Sequence, residues 1–590
     1  MKTLLALLAL FVSITALAQQ PAIPDGYWPE SKSDEILKKT ETIRLAPDLS
    51  SLTDEERSAL KDLLQVGTIF QKLYEISRHH EAITASDRLK ILDSQLGHPK
   101  WSQNLLDLYR LNQGPIAVTL DNKREPFLPV APLSPSRNVY PRDTTRAEID
   151  AFLSANPGMR DEILGERTVV RRATRDHADA DAGILNVFHL LRELHPNIYN
   201  RVRALSKNPQ PEAFYGLPYS AAYADDLVAA YRLLLKAADT LEGSDAEFAR
   251  YLRNRARDLV SNDYESGDAS WVTGHFKHLN AQIGAYETYD DALYGVKAFH
   301  GVSIMISNEK ATTELRRALG GLQAIEDALP YDNHKRVRED IPVGVYEVIA
   351  DFGQARGTNT ATILPNDPLF SRRYGRTIML RENIMKHPDI FAADLRVWRA
   401  ATAEAHANDL GDDGNFQRTL WHEIGHYLGV DRDKQGRVLD VALEDYADSI
   451  EEMKADLVSL FALDRMKHGS LRAIQASGIR RTLQNVKPRR DQPYQTMQLI
   501  QFNWFLDKGL LTADPKTARL TVHYDKYAET VTSLLREVLA LQHNGDKAAA
   551  AAFFDKWTTW TPELHEKLAA RIRDAQGARF RIVKYAALGE

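Results

Sequence analysis

Apolar residues between 51 and 110 recur at helical spacing. Leu60, Leu63, Leu64, Val66, Ile69, Phe70 and Leu73 mark one face, so this stretch reads as helices. Pro126, Pro129, Pro132, Pro135 and Pro141 then stop any helix, because each ring removes a donor and restricts the residue before it. A loop or strap is expected there. Thr145 and Glu148 form a T-x-x-E capping box ahead of Ile149, Phe152 and Leu153, and helical spacing continues through 184–205 and 220–261. Between 299 and 384 the pattern changes to short β-branched and apolar runs, FHGVSIMI, VGVYEVIADFG and RTIMLRENI. These are expected strands, with PIAVTL at 115–120 and FRIVKYAAL at 580–588 as further ones. From 393 to 576 the spacing is again helical, and no internal repeat interrupts it. Strands far apart in sequence, separated by helical blocks, predict an α+β fold, mainly helical, with a small sheet or barrel in one lobe and a helical second lobe.

Composition narrows the chemistry. The 590 residues include no cysteine, which excludes disulfides, thiolate metal sites and a cysteine nucleophile. A net charge of −6 offers no field for gathering polyanions, so no nucleic-acid partner is expected. Length suggests several domains or one large lobed body, and 44% hydrophobic residues suffice for an ordinary core. Lys2, the apolar run Leu4–Leu17 and the A-x-A pair Ala16 and Ala18 read as a secretory leader, residues 1–18, cut after Ala18. The run is too short for a membrane span, and no other segment is long and apolar enough. A periplasmic or secreted protein without a membrane anchor is therefore expected.

One segment carries chemistry, His422-Glu423-Ile-Gly-His426. Residues four apart share a helix face, so both imidazoles can meet one ion, and Glu423 stands one residue round from His422. Zinc suits two imidazoles plus a carboxylate and lowers the pKa of water towards about 7, whose proton Glu423 can take and return to a leaving amine. Downstream, Ser449-Ile-Glu451-Glu452-Met-Lys454-Ala-Asp456 reads as a second helix that can return antiparallel. Glu452 is the candidate third ligand. Glu451 and Asp456 can accept the outer N–H groups of the two histidines, while a solvated acidic face paired with Lys454 is the plain alternative.

HEIGH followed by EEMKAD resembles the zinc-binding pair of the dipeptidyl peptidase III family, in its branch with a five-residue rather than six-residue first motif. His278-Leu-Asn280-Ala-Gln282-Ile-Gly-Ala-Tyr-Glu287-Thr-Tyr289-Asp290 followed by Phe299-His-Gly301 is similar to the family block that precedes its E-F-x-G strand. Thr362-Ile-Leu-Pro365-Asn366-Asp367 resembles the block holding the substrate's N-terminus, and Ala578-Arg579-Phe-Arg-Ile-Val resembles the C-terminal part. The resemblance covers roughly 270–590. It implies one zinc per chain on His422, His426 and Glu452, with Glu423 as general base and acid. It implies substrate contacts from Asn366 and Arg579, and also from Asn280 and Gln282, which stand where the family has a glutamate and a tyrosine. Ile363 replaces the family's first asparagine, and Tyr494 takes the place of its oxyanion-stabilising histidine.

The implied fold has two lobes around a wide cleft. One lobe comprises 19–300 with 340–392 and 579–590 and holds the small β-barrel; the other, 301–339 with 393–578, is the helical zinc lobe. The implied activity is release of dipeptides from the N-terminus of short peptides, by a monomer or homodimer. The altered substrate residues keep two other readings open, another zinc amino- or endopeptidase and a non-catalytic zinc or peptide binder. Smaller signals carry less. Asp179 and Asp181 suggest a calcium loop, but its closing position falls on Leu190. His79 and His80 point to different sides, Asp409, Asp412 and Asp413 read as a solvated loop, and no P-loop, G-x-S-x-G or G-x-G-x-x-G fingerprint is present.

Overall fold

A sheet buried on both faces organises the larger part of the chain. The computed structural model describes residues 23–590 apart from 338–341, 358, 365–369, 371–372 and 489–491. The expected leader and Asn366 thus lie outside the described residues. The strands are β1 (Leu279–Glu287), β2 (Phe299–Ser307), β3 (Val343–Gly353), β4 (Ala361–Leu364) and β5 (Thr377–Arg381), in the order β1-β2-β3-β5-β4. All neighbours run antiparallel except β3 and β5, which pair in parallel with Ile378 opposite Val343. Successive side chains of a strand point to opposite faces. Ile378 and Leu380 accordingly enter one apolar core while Met379 enters another, which explains why the RTIMLR run reads as continuously apolar. The first core belongs mainly to the helices after 393; the second packs the sheet against helices Asp54–Arg78, Ala224–Leu241 and Ala246–Ser261.

The expected barrel is an open sheet, with β1 and β4 as its edges and no closing pair among the described residues. The three strand runs between 299 and 384 fold as strands, although the third ends at Arg381 and turns into helix Glu382–Met385. Of PIAVTL only Ile116–Val118 is strand. β1 itself, Thr40–Leu45 and the pair Thr168–Ala173 with Gln210–Pro218 lack a strong alternating signal and are set by tertiary pairing. Thr40–Leu45 pairs in parallel, residue by residue, with Phe580–Tyr585. Half of the expected capping box forms: Thr145 accepts the Glu148 N–H at 3.3 Å, but the Glu148 carboxylate turns to Arg172 at 2.7 Å. The Asp179–Asp181 segment is not a loop but part of helix Arg175–Val187, with Asp181 buried and accepting from the Tyr215 hydroxyl.

The chain divides into two compact units, Met1–Lys38 with Glu81–Leu133, and Lys39–His80 with Ser134–Glu590. The smaller contains helices Glu30–Leu37, Ala82–Gln95 and Lys100–Asn112 and the hairpin Ile116–Val118/Arg124–Pro126, with Asp93 taking Ser102, Gln103 and His98. The larger contains the sheet and the HEIGH segment. No helix among the described residues is long and apolar enough to cross a membrane.

Candidate metal centre

Two helices of the larger unit, α1 (Asp412–Gly425) and α2 (Ala447–Arg465), cross closely because one has no side chain at the crossing. A Cβ on Gly425 would stand 2.7 Å from the Ala455 carbonyl oxygen, so the glycine inside HEIGH is a packing requirement. Gly414, earlier on α1, approaches Ala473 of α3 (Leu471–Thr482) in the same way. Lys454 ties the crossing. Its side chain is only 1% exposed, and its ammonium donates to the carbonyls of Gly425 and Leu428, each at 2.8 Å, and lies 2.8 Å from Glu451. A cation on the Gly425 carbonyl, the last of α1, and on Leu428 in the turn after it satisfies groups that the helix end leaves unpaired. Glu326, fully buried, accepts the Gly429 N–H at 2.8 Å and fixes the turn that follows.

The crossing brings together His422, His426 and Glu452. Glu452 Oε2 lies 3.2 Å from His422 Nε2 and 3.9 Å from His426 Nε2. Zinc bonds of about 2.0–2.2 Å at tetrahedral angles separate ligand atoms by roughly 3.3–3.5 Å, and the separations of 3.2 and 3.9 Å lie either side of that spacing, close enough for one ion to be shared. Oε2 of Glu452 is buried and has no hydrogen-bond partner, whereas its Oε1 accepts from the Tyr494 hydroxyl at 3.0 Å. An orphaned carboxylate oxygen facing two imidazole nitrogens is what a cation site requires.

The outer nitrogens are held. His422 donates its Nδ1–H to Asp456 at 2.8 Å and His426 donates to Glu451 at 2.9 Å, which turns both Nε2 atoms towards Glu452. Asp456 also accepts from Arg481 at 2.8 Å and Arg418 at 3.2 Å, and Gln542 donates to Glu451 at 2.9 Å. Burial alone would raise the Asp456 carboxyl, but Arg481 and His422 hold it far below the ordinary carboxylate range. Burial likewise works against charge on His422, yet Asp456 and Glu452 outweigh it and raise its affinity for a proton to a pKa of about 9. The same negative field attracts a metal dication.

A cavity of about 840 Å³ opens over the centre. Glu423 lines it, half-buried, and so does Tyr494, 49% exposed at the first turn of α4 (Pro493–Asp507). On its other side stand Ala361 and Thr362 of the edge strand β4, with Glu287 and Tyr289 from the end of β1.

The remaining residues named for substrate lie elsewhere. Asn280 is buried, accepting from Trp271 Nε1 and donating to the Tyr346 hydroxyl, both at 2.9 Å, beside a separate cavity of about 650 Å³. Its amide is consumed by the fold. Gln282, half-buried on the same strand and paired across from Ser303, does not line the metal cavity either. Arg579 is exposed beside Phe580, its backbone N–H on Lys39, and it too is absent from the cavity wall. Conversely, Arg418 and Arg481 escaped the sequence reading. Arg418 stands four residues before His422 and so shares its face, a usable signal; Arg481 reaches Asp456 from another helix and leaves no local trace.

No family model matches the chain. It is 26% identical over 452 residues to Nudix hydrolase 3 of Arabidopsis thaliana, covering 74% of this chain and 55% of the plant protein. The chain thus spans about half the length of the curated relative it matches. Among solved structures, dipeptidyl peptidase III from Caldithrix abyssi superposes with a TM-score of 0.78 at 22% identity, over 93% of this chain and 98% of that one. Dipeptidyl peptidase III from Corallococcus sp. strain EGB gives 0.73 at 23% identity, over 95% and 98%. The fold is that of dipeptidyl peptidase III. The likeness read from HEIGH and EEMKAD therefore extends to nearly the whole chain as architecture, including the first 250 residues, where the sequence shows little similarity.

Proposed function

We propose that the protein is a zinc exopeptidase that releases dipeptides from the N-terminus of short peptides. The observation that carries this reading is the orphaned Glu452 oxygen facing His422 and His426, with Glu423 in the same cavity. His422, His426 and Glu452 would hold the ion. Bound there, zinc supplies Lewis acidity and brings the pKa of water towards about 7. Glu423 takes the proton of the attacking water and passes it to the departing amine. Asp456 and Glu451 hold the imidazole tautomers, and Tyr494 orients Glu452 rather than standing free for an oxyanion. The substrate backbone lies along β4, whose outer edge has no partner strand among the described residues and whose Ala361 and Thr362 line the cavity. Asn366, just beyond β4, is proposed to hold the free amine.

The name of the plant relative points to a different hydrolysis. It is said of a protein of which this chain covers 55%, against two structures aligned over more than nine-tenths of it. Mass spectrometry of products from an unblocked peptide library tests the reading. Successive loss of N-terminal dipeptides is expected from the zinc-loaded protein, and a loss of about 100-fold or more in rate from Glu423→Gln with zinc content unchanged. Single residues or internal fragments would establish one of the other zinc peptidase activities, and no cleavage with zinc bound would leave a binding protein. The same reading includes export to the periplasm or exterior with residues 1–18 removed, which N-terminal sequencing of the exported protein checks.

A further inference from the structure

A smaller cavity of about 270 Å³ adjoins the metal cavity and shares Arg418, Arg481 and Gln498 with it. Asn415 from the first turns of α1, Arg480 and Asp394 also line the smaller cavity, together with Phe391, Leu410 and Leu483. Three guanidiniums meet here against two carboxylates. Arg480 donates to Asp394 at 2.7 Å, while Arg418 and Arg481 share Asp456, which already serves His422. Arg418 is 6% exposed and its Nε–H has no partner; the buried Nε–H of Arg480 has none either. Leaving a charged donor buried and unpaired is unfavourable unless something binds it. Burial and the neighbouring Arg481 also push Arg418 below the guanidinium range, to about 10, a strain that a nearby anion relieves.

We propose that this annex is a carboxylate-binding subsite that receives the C-terminal carboxylate of a short peptide lying in the metal cavity. A guanidinium N–H donates well to a carboxylate, and the annex offers an unpartnered Nε–H from each of Arg418 on α1 and Arg480 on α3, Arg418's terminal nitrogens being taken by Asp456, Asn415 and Thr419. The proposal rests on the peptide reading above. It adds a reason for short substrates: the group at the far end of the peptide is gripped beside the metal centre. A free small carboxylate meets the same groups, so the experiment separates the two sources.

The test uses the zinc-loaded protein carrying Glu423→Gln, so that peptide is bound without turnover. Calorimetry compares tetra-alanine ending in a free carboxylate with its C-terminal amide, with and without Arg480→Gln, a residue outside the metal cavity wall. The free acid is expected to bind at least about tenfold more tightly than the amide, corresponding to about 1.4 kcal/mol. Arg480→Gln should reduce that ratio to within about twofold while leaving the amide's affinity unchanged, and acetate should weaken binding of the acid alone. Should Arg480→Gln fail to melt cooperatively, Gln498→Glu replaces it, since a carboxylate in the annex wall should abolish the preference by repulsion. Equal affinity for acid and amide, or a preference untouched by these substitutions, overturns the proposal. If neither peptide binds, the peptide reading fails, and acetate decides the subsite separately. A rise in the melting temperature with acetate that Arg480→Gln removes identifies a free carboxylate as the occupant; no rise overturns the subsite.

Discussion

The α1–α2 crossing and the sheet place their polar residues by different rules. On the helices, pitch alone puts His422 and His426 on one face, and a carboxylate helix need only arrive nearby. On β1, the face a residue occupies depends on register, and the residues that reach a site depend on where the strand lies relative to it. Asn280 and Gln282, two apart, share one face and neither lines the metal cavity, while Glu287 and Tyr289 at the end of the same block do. In this chain the helix-borne candidates meet at one point, whereas the strand-borne ones do not.

That contrast can be broken most forcefully at Lys454. Lys454→Met leaves two carbonyls and the Glu451 carboxylate without their buried cation, and should cost about 3–5 kcal/mol in urea unfolding. A loss below about 1 kcal/mol would mean that the crossing does not depend on this tie. Next, Asp456→Asn should weaken zinc binding about 10–100-fold in a chelator competition, because His422 loses its ionised acceptor. On the sheet side, Asn280→Ala should lower stability by about 2 kcal/mol through two lost buried hydrogen bonds, with KM for a short peptide unchanged. A large rise in KM at constant stability would restore Asn280 to substrate binding and erase the contrast.

A pH-dependent effect concerns Lys297, just before β2, which donates to Ile163, Gly165 and Thr168 and which burial pulls down to a pKa of about 7 from its usual 10.5. Between those values the folded chain binds fewer protons than the unfolded one, so its contribution to stability grows as pH rises. The slope is at most about 1.4 kcal/mol per pH unit. Urea midpoints from pH 7 to 9.5 should climb less in Lys297→Met than in the native protein, and identical slopes would show that Lys297 titrates normally.

The helical blocks, the three strand runs after 299 and the grouping of His422, His426, Glu451, Glu452 and Asp456 near Glu423 were legible because periodicity and i, i+4 spacing are local. β1 was not, since LNAQIGAYE contains no β-branched run and owes its conformation to the strands beside it. Nor was the openness of the sheet, since closure depends on pairing between edges that no segment encodes alone. Arg481 and Gln542 were out of reach for the same reason: their partners, Asp456 and Glu451, lie on another helix. Gly425 was visible only as a motif letter, and the Ala455 backbone across the crossing supplies its reason.

The parallel pairing of Thr40–Leu45 with Phe580–Tyr585 has a consequence for how the molecule is made. Glu41 and Arg581 form an ion pair across 540 residues of chain. At about 5–20 residues per second, a ribosome needs roughly half a minute to two minutes to deliver the second strand after the first. For that whole interval the early strand has a bare edge that any other extended segment can occupy. Phe580–Tyr585 therefore completes a pairing whose first strand emerged 540 residues earlier, and truncating the chain before Phe580 should leave a protein that begins to fold promptly and then associates with its own kind.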